Sequence, residues 1–271
     1  MGQRAARERA LPTNGEASLV EIFASIQGEG PEVGRATVFV RFGGCDLRCR
    51  WCDSPGTWRP TAGARIETRA RSGEFGERTN PIPLDEIVAT IERLAGPAST
   101  WISLTGGEPL LQPEATAALA RALAASGRRV YLETHGLHAA ALETCVDAIE
   151  LVSMDWKLAS DVVYGPGAPR LPGPDFHAAH EAFLRVARRA RGVYVKAVVT
   201  ASTTDSEFDA MIEAIARVSP ATPLVIQPVT ARGKAVTMPS AARCLALLGR
   251  AEARLTDVRV IPQTHPLYGV P

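Results

Sequence analysis

From residue 36 onward the chain alternates short β-branched runs with Ala/Leu/Arg-rich stretches of helical period, and this alternation limits the fold more than any single residue does. The strand-like runs are ATVFVRF (36–42), WISL (101–104), RVYLE (129–133), ELVSM (150–154), VYVKAVV (193–199), PLVIQ (223–227) and DVRVI (257–261). Helical period fills 83–95, 113–126, 138–146, 175–191, 204–218 and 239–253. Several of these segments open as helices should. Pro83 precedes Asp85 and Glu86, Pro113 precedes Glu114, and Asp205 follows Thr203 and Thr204, which puts acidic groups at the positive end of the helix dipole. Strand, helix, strand in strict succession requires parallel strands joined by right-handed crossovers, so the choice lies between an open doubly wound sheet and a full or partial barrel. Both place ligands at the carboxyl ends of strands, and functional motifs are therefore expected directly after strand-like runs.

The balance of residues supports a folded chain with small ligands. Hydrophobic side chains make up 46% and charged ones 22%, enough to build a sizeable core. Thirty Lys and Arg against 29 Asp and Glu leave a net charge of +1, which removes the electrostatic reason to expect nucleic acid or an anionic membrane as partner. No stretch reaches the ~18 apolar residues of a membrane span, and residues 1–16 lack the apolar core of a signal peptide, so a cytoplasmic protein is expected. The same residues show no hydrophobic periodicity. The expected organisation is a mobile leader over 1–17 and one domain over 18–271, interrupted by a polar, aperiodic insertion at about 59–80 that reads as a lid or a mobile loop.

Three of the five cysteines lie within eight residues: Cys45, Cys49 and Cys52 form C-x3-C-x2-C directly after the run 36–42. That is too uneven for a disulfide framework. Three thiolates on one tight loop suit three corners of a cubane iron–sulfur cluster, leaving one iron without a protein ligand. A zinc knuckle would need a fourth ligand close by, and no His or Cys occurs in the 80 residues after Cys52. Cys145 and Cys244 sit in Ala/Leu-rich helical contexts and read as core.

With Trp51 before its last cysteine, the triplet resembles the signature of the radical S-adenosylmethionine (SAM) enzymes, and Thr105-Gly106-Gly107-Glu108-Pro109 resembles their GGEP element. Further motifs stand around these two: EIFASIQGEG (21–30), Arg41, CDSPGTW (52–58), ETHG (133–136), SMDWKL (153–158), QPVT (227–230) and QTHPLYGVP (263–271). In this order, from about residue 18 to the last, they resemble the 7-carboxy-7-deazaguanine synthases of that superfamily. The resemblance implies an α/β fold that is a partial (incomplete) parallel β/α barrel. It implies a 4Fe–4S cluster on Cys45, Cys49 and Cys52, S-adenosyl-L-methionine, and Mg²⁺. The implied reaction is the radical ring contraction of 6-carboxy-5,6,7,8-tetrahydropterin to 7-carboxy-7-deazaguanine with loss of ammonia, on the path to queuosine and other 7-deazapurines. Implied partners are the small pterin, an electron donor such as flavodoxin or ferredoxin, and a second copy in a homodimer, with neither nucleic acid nor membrane.

Carried over residue by residue, the resemblance assigns the pterin to Ile26, Gln27, Gly28, Glu29, Arg41, Thr105 and the terminal Pro271. Arg41 can fork a carboxylate, and the Gln27 amide can read a pyrimidinone edge. SAM falls to Trp51, Cys52, Asp53, Gly107, Ser153, Met154, Asp155 and Gln227, with Met154 acting through its backbone. Ser54 would hold Mg²⁺ where the family usually has Thr, keeping the hydroxyl and losing the methyl that restricts its rotamer. His135 stands where the family usually has Asn and reads as a hydrogen-bonding structural residue, and Pro266 follows His265 where the family often has Lys. His177 and His180 read as surface residues, and Lys157 as a polar group at a strand end. The rival reading is a glycyl-radical enzyme activase, which shares C-x3-C-x2-C and GGEP but has no use for IQGEG and Arg41.

Overall fold

The structure is a computed structural model that describes residues 15–173, 175–230 and 236–269. The expectations for residues 1–14 and for Pro271 lie outside the described residues. The chain opens with β1 (Glu16–Ala17) and β2 (Leu19–Ile26), turns back through a 3-10 turn at Gly30–Glu32 into β3 (Ala36–Phe42), and continues through β4 (Leu47–Cys49), β5 (Gly63–Glu67), β6 (Phe75–Thr79) and β7 (Ile82–Pro83). Helices and strands then alternate: α1 (Leu84–Leu94), β8 (Trp101–Gly106), α2 (Pro113–Ala125), β9 (Arg129–Thr134), α3 (Ala139–Glu143), β10 (Leu151–Asp155) and β11 (Val162–Tyr164). They are followed by α4 (His177–Ala187), β12 (Gly192–Val199), α5 (Asp205–Val218), β13 (Leu224–Pro228), α6 (Ala241–Glu252), β14 (Val258–Val260) and α7 (His265–Tyr268).

Ten strands form one sheet in the order β14-β13-β12-β10-β9-β8-β3-β2-β5-β6. Every neighbouring pair from β14 to β3 is parallel, as the strand–helix alternation requires. Among the described residues the edge strands β14 and β6 do not pair with each other, so the sheet is not closed there, as a partial barrel requires. It is nonetheless strongly curled. Glu29, just past β2, lies 2.7 Å from Lys196 on β12, five strand positions away. In a flat sheet those positions would be ~24 Å apart at the usual strand spacing.

Alternation along the strands sorts the two faces. Outward residues such as Ile102, Leu104, Val130, Leu132, Val152, Met154, Val195 and Ala197 join the helices in the main core. Inward residues change character along the barrel axis. Near the amino ends Trp101, Tyr131, Tyr194 and Val225 close an apolar floor, in which the Tyr131 and Tyr194 hydroxyls meet. Towards the carboxyl ends the same faces turn polar, with Ser103, Thr105, Glu133, Asp155, Lys196 and Gln227. The floor is pinned from outside as well, since Trp101 Nε1 donates to Glu32 at 2.8 Å and Arg129 stacks on its ring.

Four expectations change. Within residues 59–80, expected as a lid or a mobile loop, β5 and β6 form an antiparallel hairpin that extends the sheet beyond β2. Ala64 and Ile66 of β5 bury apolar side chains, and the edge strand β6 carries Glu77 and Arg78 exposed, as suits an edge that must not pair with another chain. The leader does not reach residue 17, because Glu16–Ala17 pairs with Ile82–Pro83 and Ala17 is fully buried. His180 is a core residue stacked on Trp156, with Nε2 3.0 Å from the His135 carbonyl. Cys244 is half-buried rather than core. No described helix is long and apolar enough to cross a membrane.

The floor has a measurable weight. Trp101→Ala removes a large side chain that is 2% exposed, so unfolding free energy should fall by about 3–5 kcal/mol, read as a lower urea midpoint. A change below about 1 kcal/mol would show that the floor collapses without cost.

Candidate active site

The cluster loop grows from the end of β3. After Phe42 the backbone passes through Gly43 and Gly44, reaches Cys45, pairs β4 with β11 through Cys49, and turns by a Cys52 N–H to Cys49 carbonyl bond of 3.2 Å. The neighbouring strand end fits against it closely. Gly107 N–H donates to the Phe42 carbonyl at 3.0 Å and Glu108 N–H to the Gly44 carbonyl at 2.8 Å. A Cβ on Gly107 would lie 2.1 Å from the Gly44 oxygen, and Gly106 combines φ +123° with a similar clash on Phe42, so both positions demand glycine. Glu108, fully buried, ties this turn to β9 by accepting from Thr134 Oγ1 and from His135 N–H, each at 2.8 Å.

Cys45, Cys49 and Cys52 all line a cavity of about 500 Å³ at the carboxyl end of the barrel. Burial pushes the Cys45 thiol up to about 12 and Cys49 to about 11, and raises Cys52 too. These thiols stay neutral until a metal centre stabilises the thiolates. Among the described residues the one trio of His, Cys, Asp or Glu donors that closes to within 4.8 Å is Asp46, His135 and His138. Three thiols on one loop facing one cavity, with no further Cys among its lining residues, suit three corners of an iron–sulfur centre.

The opposite wall carries charge. Arg41 Nε donates to Glu21 Oε1 at 2.8 Å and its Nη1 lies 3.4 Å from Ser54 Oγ. Ser54 in turn donates to Asp53 at 2.9 Å. Gln27 is buried, accepts from Glu29 N–H at 3.1 Å and donates to Glu133 at 3.2 Å. Burial lifts Glu133 to about 7, although the Ser103 hydroxyl also donates to it. Deeper in, Lys196 bridges Glu29 at 2.7 Å and Asp155 at 2.8 Å, while Lys157 reaches the other Asp155 oxygen at 2.8 Å and lies over the Trp51 ring. Burial opposes ionisation of Asp155, yet the two ammonium groups hold it down to about 2. Gln227 lines the same cavity, nearly fully buried, with Oε1 unpartnered: an acceptor left over for a ligand.

The sequence model of the Radical SAM superfamily matches residues 39–218. The 7-carboxy-7-deazaguanine synthase of Geobacter sulfurreducens is 36% identical over 93% of this chain and 97% of its own length. That of Methanothermobacter thermautotrophicus is 33% identical over 94% and 98%. The chain belongs to the 7-carboxy-7-deazaguanine synthase family of the radical SAM superfamily. Among solved structures, QueE from Escherichia coli covers 92% of this chain and 95% of its own with a TM-score of 0.59 at 21% identity. TYW1 with a lysine-pyruvate adduct bound reaches 0.52 at 11% identity, over 81% of this chain and 74% of its own. Both share the fold. Relatives aligned along the whole length carry the synthase name, which leaves the activase reading without support.

Of the residues that the family resemblance assigns, Ile26, Gln27, Gly28, Glu29, Arg41, Trp51, Cys52, Asp53, Ser54, Thr105, Gly107, Asp155 and Gln227 come together around this cavity. Ser153 and Met154 do not line it. Met154 points outward into the core, and a Cβ on Gly136 would clash with it; Ser153 faces inward below Asp155 with its hydroxyl buried and unpartnered. Sequence reasoning missed Glu21, Arg65, Glu133, Lys196 and Gln263 as lining residues. The signal for two of them was present: Glu133 in RVYLET and Lys196 in VYVKAVV are charges inside otherwise apolar strands.

Glu133 gives a pH test. Between about pH 4.5 and 7 its carboxyl is ionised in the unfolded chain but keeps its proton when folded, so the folded state binds more protons and stability falls as pH rises. Glu133→Gln should flatten that decline by at most about 3 kcal/mol in urea titrations of the unloaded protein at pH 5 and 7.5. Parallel wild-type and variant curves would show that the carboxyl titrates as in water.

Proposed function

We propose that this chain converts 6-carboxy-5,6,7,8-tetrahydropterin to 7-carboxy-7-deazaguanine with loss of ammonia, using a 4Fe–4S cluster on Cys45, Cys49 and Cys52 together with SAM and Mg²⁺. The observation that carries the reading is that one cavity is lined both by three thiols without a fourth and by a polar wall suited to a carboxylated pterin. When bound, the cluster and SAM supply the one-electron chemistry that generates the 5′-deoxyadenosyl radical. The protein supplies position and electrostatics.

Glu21 fixes the Arg41 guanidinium so that its Nη1 faces Ser54, and a substrate carboxylate beside the pair can meet both the cation and the hydroxyl. Ser54 Oγ and the adjacent Asp53 carboxylate are hard oxygens that would hold Mg²⁺, and the ion would supply positive charge for the substrate's oxygens. Gln27, Glu29 and Glu133 form a cluster of amide and carboxyl groups that can read the amino and lactam edge of a pterin. Near pH 7 the Glu133 carboxyl can either accept or donate. On the cluster side, Trp51, Asp53, Gly107, Asp155 and the unpartnered Gln227 oxygen surround the space for SAM. The reading extends to a flavodoxin or ferredoxin as reductant, to a homodimer and to a cytoplasmic setting.

Anaerobically reconstituted protein given SAM, Mg²⁺, reductant and the carboxytetrahydropterin should release 7-carboxy-7-deazaguanine. No product from protein with a verified cluster overturns the assignment. Arg41→Ala should lower kcat/KM for the pterin by about 10- to 100-fold, the worth of a hydrogen-bonded charge pair, with SAM affinity retained. An equal loss of SAM binding in equilibrium dialysis would move Arg41 to a structural role.

A further inference from the structure

Beside the cavity, the residue that follows the first cluster cysteine is clamped. Asp46 Oδ1 lies 2.7 Å from His135 Nε2, and Asp46 Oδ2 lies 3.1 Å from His138 Nε2. His135 is buried, Asp46 keeps only 10% of its side chain exposed, and His138 is half-buried. The Asp46 carbonyl also accepts the Gly165 N–H at 2.7 Å, beyond the end of β11. His135 Nε2 further lies 3.3 Å from Glu108 Oε2, so one imidazole touches both the carboxylate beside Cys45 and the glutamate of the GGEP turn.

We propose that His135 and His138 are positioning residues for the iron–sulfur centre: each donates an Nε2–H to its own oxygen of Asp46, and the locked Asp46 holds Cys45 against the turn that carries Gly107. The inference rests on the reading that Cys45, Cys49 and Cys52 bind the cluster. Its physical basis is the cost of a buried carboxylate without donors, which leaves Asp46 one well-satisfied rotamer and the adjacent Cys45 little freedom. Cys45 is also tied by its N–H to the Trp58 carbonyl at 3.3 Å and by its carbonyl to the Arg48 guanidinium at 2.8 Å, but Arg48 moves with the loop itself. The trio is a hydrogen-bonded lock rather than an ion cage, since each imidazole nitrogen that faces Asp46 is already aimed at an oxygen. Groups that orient metal ligands in this way affect metal retention more than folding.

The test uses full-length protein reconstituted anaerobically, with iron loss to a ferrous chelator followed by the charge-transfer absorbance, and the electron paramagnetic resonance spectrum of the reduced cluster with and without SAM. Asp46→Ala and the double variant His135→Leu/His138→Leu should lose iron about 10-fold faster or more, with an altered spectrum. Asp46→Asn, which keeps an acceptor oxygen and the volume, should recover much of the wild-type rate; if Asp46→Ala does not fold, His138→Leu alone, which takes the donor from Asp46 Oδ2, carries the test and should also lose iron faster than wild type. Loaded Asp46→Ala or His135→Leu/His138→Leu protein that matches wild type in both rate and spectrum overturns this inference alone. A further stoichiometric zinc or iron ion in wild type that the variants lack makes the trio a metal site and also overturns it. Wild-type protein that takes up no cluster overturns the cluster reading and this inference with it.

Discussion

A buried ammonium group closes the inner face of this barrel. Lys196 projects from the middle of β12, is 5% exposed, and reaches Glu29 beyond β2 and Asp155 at the end of β10. An unpaired charge at that depth would cost several kcal/mol, so the pairing requires the sheet to curl until β2 and β12 face each other. Asp155 and Glu29 hold Lys196 protonated despite its burial, and Lys157 adds a second cation on the other Asp155 oxygen. Apart from Gln227 on β13, the cavity-lining residues proposed for pterin or SAM that stand on or just past sheet strands belong to the arc these charges close.

The arc is built in layers that follow from alternation. One set of inward positions packs Trp101, Tyr131 and Tyr194 into an apolar plug, and the next set up supplies hydroxyls, carboxyls and the ammonium. The plug keeps water from reaching the polar layer from below, which is why burial can lift Glu133 while Asp155, next to two lysines, goes the other way. Two carboxyls on neighbouring inner positions are thereby set to different protonation states, one poised near neutrality and one firmly ionised.

Much of this was legible in the residues. The runs around Val38, Ile102, Val130, Val152, Val195 and Val225 located strands because β-branched side chains buried on both faces leave an unbroken apolar signal. The cysteine loop and the glycine turn were legible because close backbone approach and thiol ligation tolerate few residue types. β5 and β6 were not, since Ala64 and Ile66 are the hairpin's only buried apolar side chains and the rest reads as polar loop. Lys196 and Glu133 escaped for a related reason: a lone charge inside a strand shows that a partner exists, but the partner comes from another strand, and only the curl reveals which. His180 was misplaced because its helix looks amphipathic with histidine on the polar side, whereas Trp156 offers it a ring to stack on.

The cluster loop and the buried charges also act on each other. Lys157 lies over the Trp51 ring and favours the thiolate of Cys49, opposing the burial that keeps this sulfur protonated. Three thiols with raised pKa values must lose protons when metal binds, and a cation already fixed beside Cys49 lowers the cost of that step at one corner. The same ammonium is tied to Asp155, so the ionised carboxylate at the end of β10 and the ease of forming a thiolate at Cys49 are parts of one charge balance. The loop that carries the sulfurs and the strand ends that surround the space for SAM are thus coupled through Lys157 by electrostatics as well as by packing.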